Sequence, residues 1–337
     1  MSTTAPHASG RRWRPQLIHI VAALTVFTGL LAVPASVSAE QRWALIISGS
    51  SGGEKYAEQM RAWRTALSEA LSSRYGFDTT RVRVLGDETV PPAERATAEN
   101  LRKVLTEMRG QLAREDLLLV VLLGHGTFDG EVAKFNLVGP DLTAPDWSSL
   151  FGNLPSRLVL VNTTESSFPF LEQLSSRGRV VITATDSAAQ KYATVFPEYF
   201  VKAMREASTD LDKNGRTSIY EVFAAASLAV RQHYEQRGQL TTERALLDDN
   251  GDRQGREEQA PGPDGAIART VYLDAENPLA ASNPELADLL RRRRDLEAEA
   301  EALKLKKAQM PAPQFTAAFE KLMVELAKVS REIRQRS

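Results

Sequence analysis

The chain contains no cysteine. Disulfides, thiolate metal centres and thiol nucleophiles are therefore excluded. Net charge is almost absent too: 42 Lys and Arg stand against 43 Asp and Glu, a formal charge of -1. That removes the electrostatic footprint of a nucleic-acid binder. Long apolar runs are missing after residue 39, so no later segment reads as a membrane span. The rest is ordinary. At 42% hydrophobic and 25% charged over 337 residues, the composition supports a packed core in one large domain or two modest ones.

The first 39 residues have the layout of an export signal. Arg11, Arg12 and Arg14 precede an apolar run from Leu17 to Val33, and "ASVSA" follows with Val37 and Ala39 placed for cleavage. The reading is an exported protein, periplasmic or secreted, with no membrane attachment after signal cleavage. The general and twin-arginine routes both stay open, and an uncleaved N-terminal anchor is the alternative.

Beyond it, "RWALIISGS" (42–50), "DLLLVVLLGHG" (116–126), "RLVLVN" (157–162) and "RVVITAT" (179–185) are short apolar runs. Strands buried on both faces look like this. "RVRVLGD" (81–87) alternates as a strand does. Helical spacing covers 56–73, 97–112 with Thr97 as N-cap, 197–207 and 218–236. This alternation predicts βαβ units and a mainly parallel sheet. Residues 247–268, rich in Asp, Gly, Glu and Pro, read as a loop. Helical composition over 284–308 and 314–335, broken by "MPAP" (310–313), predicts an antiparallel hairpin seamed by Leu286, Leu289, Leu290, Leu296 and Leu303. It either braces the domain or forms a coiled-coil contact for homo- or hetero-oligomers.

Two strand tips carry chemistry. "LLGHG" puts His125 and Gly126 at one, and "LVLVNTTESS" puts Asn162, Thr163, Thr164, Glu165, Ser166 and Ser167 at the next. Ligands of open α/β sheets gather at such tips. The layout resembles the caspase-like clan of cysteine peptidases, and within it the legumain-type family. There a strand-end His-Gly faces a nucleophile in a pattern like Asp-Ala-Cys-x-Ser-Gly. "WALIISGSSGGEKYAEQMRAWRTAL" and "VVITATDSAAQKY" resemble the family's opening and the strand after the nucleophile, so the likeness covers about 42–205. It implies a caspase-like three-layer α/β sandwich with a mainly parallel sheet.

The departures fall at the nucleophile. Asn162 stands for Asp, Thr164 for the catalytic Cys and Ser167 for Gly, while His125 and Gly126 are kept. A threonine alcohol has no ionisation comparable to a thiol, and threonine nucleophiles usually borrow the chain's own α-amine, which internal Thr164 lacks. His125 reads either as a structural histidine satisfied by loop carbonyls or as a general base. Glu165, Ser166 and Ser167 read as solvated loop residues, or as the lining of a ligand cleft.

"DLDKNGRTSIYE" (210–221) has the oxygen spacing of an EF-hand calcium loop: Asp210, Asp212 and Asn214 at positions 1, 3 and 5, Gly215 at 6 and Glu221 at 12. Arg216 at 7 would offer its carbonyl and Ser218 at 9 its hydroxyl, directly or through water. An Asp/Asn turn without a ligand is the alternative. "LLDDNGDRQGREE" (246–258) also spaces oxygens at Asp248, Asn250 and Asp252, but Gly251 and Gly255 do not match the standard loop, so it reads as a turn, with a second cation site as the alternative.

The expected organisation is a signal peptide (1–39), a caspase/legumain-like domain (40–280) and a helical hairpin (281–337). The expected function is an exported, catalytically inactive peptidase relative that binds a peptide or protein partner, with Ca2+ as the one cofactor and no nucleic acid. The alternatives are an active peptide hydrolase using His125 with Thr164 or a nearby serine, and an assembly scaffold acting through the hairpin.

Overall fold

The computed structural model describes residues 1–2, 40–88, 93–274 and 283–336. The expected signal segment lies outside the described residues but for its first two. From Glu40 onward the described residues belong to one compact unit. No helix among them is long and apolar enough to cross a membrane.

The α/β expectation holds. Strands β1 (Arg42–Ser48), β2 (Val82–Gly86), β3 (Glu94–Arg95), β4 (Leu117–Leu123), β8 (Arg157–Asn162), β9 (Arg179–Thr183) and β10 (Leu246–Asp248) form one sheet in the order β10-β9-β8-β4-β1-β2-β3. Every neighbouring pair is parallel except β9 with β10. Between β4 and β8 in the chain, β5 (Gly126–Phe128), β6 (Ala133–Phe135) and β7 (Leu142–Thr143) make a small antiparallel sheet of their own.

The long strands feed two cores. Leu117, Leu119, Val121 and Leu123 of β4 point to one face and Leu118, Val120 and Leu122 to the other, all buried. The first face is covered by α1 (Glu54–Glu69), α5 (Phe196–Arg205) and α6 (Ile219–Glu235), through Leu67, Phe196, Phe200, Val222 and Phe223. The second is covered by α2 (Ala98–Arg109), α3 (Ala144–Phe151) and α4 (Phe168–Leu174), through Leu101, Leu105, Trp147 and Phe170. The result is a three-layer sandwich. Each fully buried Leu, Val or Phe contributes about 1.5–3 kcal/mol, which makes β4 its most stabilising strand. Local signals hold as well: the Thr97 hydroxyl accepts the Asn100 N–H at 3.1 Å and caps α2.

The C-terminal hairpin is formed by α7 (Pro284–Leu305) and α8 (Ala312–Arg336), with the break at the predicted prolines. Leu286, Leu290, Leu296, Val329 and Ile333 make its separate apolar cluster. It is tied to the sandwich by charge. The Arg216 guanidinium reaches both oxygens of Glu297 at 2.7 and 2.8 Å and stacks on Tyr272 with its carbon 3.4 Å from the ring centre.

Two expectations need correction. The start of the 247–268 stretch is not loop, because Leu247 and Asp248, with Leu246, pair antiparallel with β9 as an edge strand. Glu165, Ser166 and Ser167 are not solvated. They are 8%, 1% and 0% exposed, because the 187–195 segment folds over them and the Gln190 carbonyl accepts from the Ser166 N–H at 2.9 Å.

Candidate functional site

β4 and β8 are hydrogen-bonded neighbours, with Leu122 opposite Asn162, so their C-terminal tips lie side by side. The ladder runs one residue further: Thr163 donates to the Leu122 carbonyl through its N–H at 3.1 Å and its hydroxyl at 2.7 Å. Past β4 the chain turns through Gly124, whose φ of +142° suits glycine, to place His125 at the tip. Gly126 then starts β5 directly against the neighbouring loop. A methyl group there would stand inside van der Waals contact of the Glu165 carbonyl oxygen and 2.7 Å from Thr164 Oγ1.

The two tips meet in a dyad. His125 Nδ1 lies 2.9 Å from Glu165 Oε1. The ring also packs edge-on against Tyr56, centroids 4.8 Å apart. The Glu165 hydrogen bond raises the imidazole pKa above its ordinary 6.5, against burial, which lowers it. The carboxylate holds the proton of the neutral ring on Nδ1 and leaves Nε2 as the basic atom. Sequence reasoning had His125 but not its partner. The usable signal was a lone carboxylate among hydroxyls on the strand tip adjoining a histidine tip.

The hydroxyls beside the dyad are engaged elsewhere. Thr164 is fully buried and its single proton has two acceptors, Asn162 Oδ1 at 2.8 Å and the Glu165 carbonyl at 3.1 Å. Ser166 Oγ donates to the Gln190 carbonyl at 3.0 Å, and Ser167 Oγ pairs with Thr185 Oγ1 at 3.0 Å. No hydrogen bond joins His125 to any of them among the described residues. Asn162 Oδ1 also accepts the Thr164 N–H at 3.1 Å, and its amide Nδ2 finds no acceptor among the described residues. That unpaired buried donor carries a desolvation cost.

The dyad opens on a small cleft of about 70 Å³, lined by Tyr56, Met60 and Trp63 of α1 and by Thr194, Val195 and Glu198 opposite. The far wall is anchored from beneath. Buried Glu243 accepts the Val195 and Phe196 N–H groups at 2.8 and 3.2 Å and the Tyr234 hydroxyl at 2.9 Å. A larger cavity, about 240 Å³, lies between sandwich and hairpin among ion-paired arginines and shares no residue with this cleft.

In the 210–221 loop, one carboxylate oxygen from each of Asp210, Asp212 and Glu221 lies within 4.8 Å of the others. Asp210 accepts the Asn214 and Gly215 N–H groups, and Asn214 Oδ1 accepts the Arg216 N–H. Asp210 and Asp212 keep acceptor capacity for a hard cation, whereas Glu221 already accepts the Leu211 and Asp212 N–H groups on Oε1 and the Ser218 N–H and hydroxyl on Oε2. Ser218 fits less well, since its hydroxyl is spent capping α6 in a reciprocal box with Glu221. The side chain of Arg216 is committed to Glu297 and leaves only its carbonyl for the loop.

No family model matches this chain, and no curated protein matches it. Among solved structures, a protein from Geobacter sulfurreducens is similar, with a TM-score of 0.41 at 12% identity over 62% of this chain and 92% of its own. The Drosophila initiator caspase Dronc is similar too, with a TM-score of 0.43 at 13% identity over 66% of this chain and 84% of its own. The layered α/β layout, with His125 and Thr164 beyond adjacent strand tips, is the one the sequence resemblance implies.

The dyad yields a titration. The proton affinity gained from Glu165 makes the folded state hold the imidazolium more tightly than the unfolded chain does. The stabilisation is fully present below pH 6.5 and is lost as pH rises through the raised folded value. Glu165→Gln should lower the His125 midpoint, since burial is then opposed only by the Ser51 backbone bond. Nuclear magnetic resonance titration of the ring protons checks this, and an unmoved midpoint would rule the pair out.

Proposed function

We propose that this chain is an exported peptidase-fold protein that binds a peptide or protein segment at the His125 cleft and does not hydrolyse it. One observation carries the reading: the tip holds a histidine paired with Glu165, but the Thr164, Ser166 and Ser167 hydroxyls at the nucleophile loop are bonded elsewhere. An alcohol nucleophile needs its proton in reach of the base and a donor pair for the oxyanion. Thr164 directs its proton away from His125. The aromatic rim of Tyr56 and Trp63 supplies apolar contact area for a side chain, and the dyad supplies a charged anchor.

The proposal extends to the 210–221 loop, as a calcium site formed by Asp210, Asp212, Asn214, the Arg216 carbonyl and Glu221. Its support is the convergence of three carboxylates on one turn that leads into α6.

The test is a broad peptide library offered to the full chain in solution, beside His125→Ala, and the same library displayed as an array. Neither protein should cleave any member. The unmodified chain should be retained by a subset of sequences, and Tyr56→Ala should weaken that retention. Cleavage that vanishes in His125→Ala would promote the hydrolase reading instead.

A further inference from the structure

A second cluster of carboxylates lies far from the dyad in sequence, where β10 runs into the acidic stretch after it. Asp248, Asp249 and Asp264 are each 1% exposed. Among the described residues no lysine or arginine pairs with them. Burying carboxylates without a positive partner is costly, so their surroundings need accounting for. Asp249 is satisfied: its two oxygens accept the Gly265 and Ala268 N–H groups at 3.0 and 2.8 Å. Asp264 is not. Among the described residues its Oδ1 accepts only a long 3.3 Å bond from the Asp249 N–H, and its fully buried Oδ2 has no hydrogen-bond partner.

Asp264 turns toward two other acids. One oxygen from each of Asp248, Asp252 and Asp264 lies within 4.8 Å of the other two. Three like charges at that spacing repel strongly unless something positive lies among them. The loop that carries Asp248 and Asp252 also folds like 210–221. The fourth and sixth positions are left-handed in both: Lys213 (φ +58°) and Gly215 (+83°) in one, Gly251 (+80°) and Arg253 (+66°) in the other. The first acid accepts the N–H of the sixth residue in both, Gly215 to Asp210 at 2.9 Å and Arg253 to Asp248 at 2.6 Å.

We infer that Asp248, Asp252 and Asp264, with the Asn250 amide oxygen at the third loop position, form a second binding site for a hard divalent cation of the calcium class. The donors are all oxygen, with no sulfur or imidazole, which selects calcium over zinc. Backbone N–H groups occupy one lone pair on each Asp248 oxygen and one on Asp252 Oδ1, and a carboxylate has about four, so metal-binding capacity remains. Asp264 completes the set from twelve residues beyond Asp252, outside any loop spacing, which is why the sequence pattern alone stops short of a site. The cation would clamp the 249–268 excursion onto the end of β10. The site is independent of the 210–221 loop and of peptide binding.

Calcium titrated by calorimetry into the full chain tests the inference, with one binding event expected per loop. Asp264→Asn and Asp252→Asn should abolish the same event, and Asp212→Asn should abolish the other. Asp252 is exposed, and its substitution keeps an oxygen for the Gln254 N–H, so that variant folds even where Asp264→Asn fails to. A single event, lost in Asp212→Asn and unchanged in Asp252→Asn, overturns the second site and leaves the first standing. An event lost in Asp252→Asn but kept in Asp212→Asn establishes the second site by itself. No event in the unmodified chain overturns both.

Discussion

Gly126→Ala should be among the most damaging single-methyl changes in this chain. The added carbon meets the Glu165 carbonyl oxygen and Thr164 Oγ1, backbone and buried side chain of the neighbouring tip. Neither gives way cheaply, because Thr164 is held by Asn162 and Glu165 by His125. Overpacking of this kind costs about 1–3 kcal/mol, and more where rigid backbone is the obstacle. We expect the upper end of that range, as a lower denaturant midpoint with an unchanged slope. The tips should also separate, so the raised His125 titration should be lost along with stability. Gly53→Ala is the control. Its φ of 166° is ordinary extended backbone and a methyl there meets open space, so its effect should stay within about 0.5 kcal/mol. Equal costs for the two variants would mean the tips are not packed as described.

Glu243→Ala should cost about 3 kcal/mol. It leaves the Val195 and Phe196 N–H groups and the Tyr234 hydroxyl without their shared acceptor, and an orphaned buried donor costs about 1–3 kcal/mol. The Tyr234 hydroxyl keeps Thr242 as a neighbour at 3.2 Å, which limits the sum. Glu243→Gln should fall between alanine and the unmodified chain, because one oxygen survives while an amide now faces the Phe196 N–H. Burial raises the Glu243 carboxyl above its ordinary 4.5. Its proton-linked stabilisation is therefore fully present below pH 4.5 and lost as pH rises through the folded value. The glutamine variant should lack that dependence. Denaturant midpoints measured across this range check both claims, and an alanine variant as stable as the unmodified chain would refute the anchoring role.

The parts of this structure that were legible in the sequence are those decided locally. Strands β1, β4, β8 and β9 are buried on both faces, so they appear as unbroken apolar runs. Thr97 caps and the 310–313 prolines break helices through neighbours a few residues away. What stayed hidden depends on distant chain. Leu246–Asp248 is two leucines and an acid, and only pairing with β9 makes it a strand. Glu165 looks like a solvated residue until the segment around Gln190 closes over its loop, and only then does His125 have a carboxylate partner. Asp264 joins its acids through the fold of the 249–268 excursion. The candidate site was thus half visible: the histidine and the missing thiol could be read, the base's partner and the cleft walls could not.

The sheet edges decide how a ligand can be held. β10 and β3 flank the large sheet, and β5 and β7 flank the small one. Each is only two or three residues long. Recognition by strand addition draws its affinity from a run of main-chain hydrogen bonds along an exposed edge. Among the described residues, edges this short offer few such bonds to a ligand or to a second copy of the chain. In the proposed peptide-binding reading, selectivity comes from individual side chains lodged in pockets, and a bound segment should tolerate changes in its backbone, such as N-methylation, better than changes in its anchoring residue.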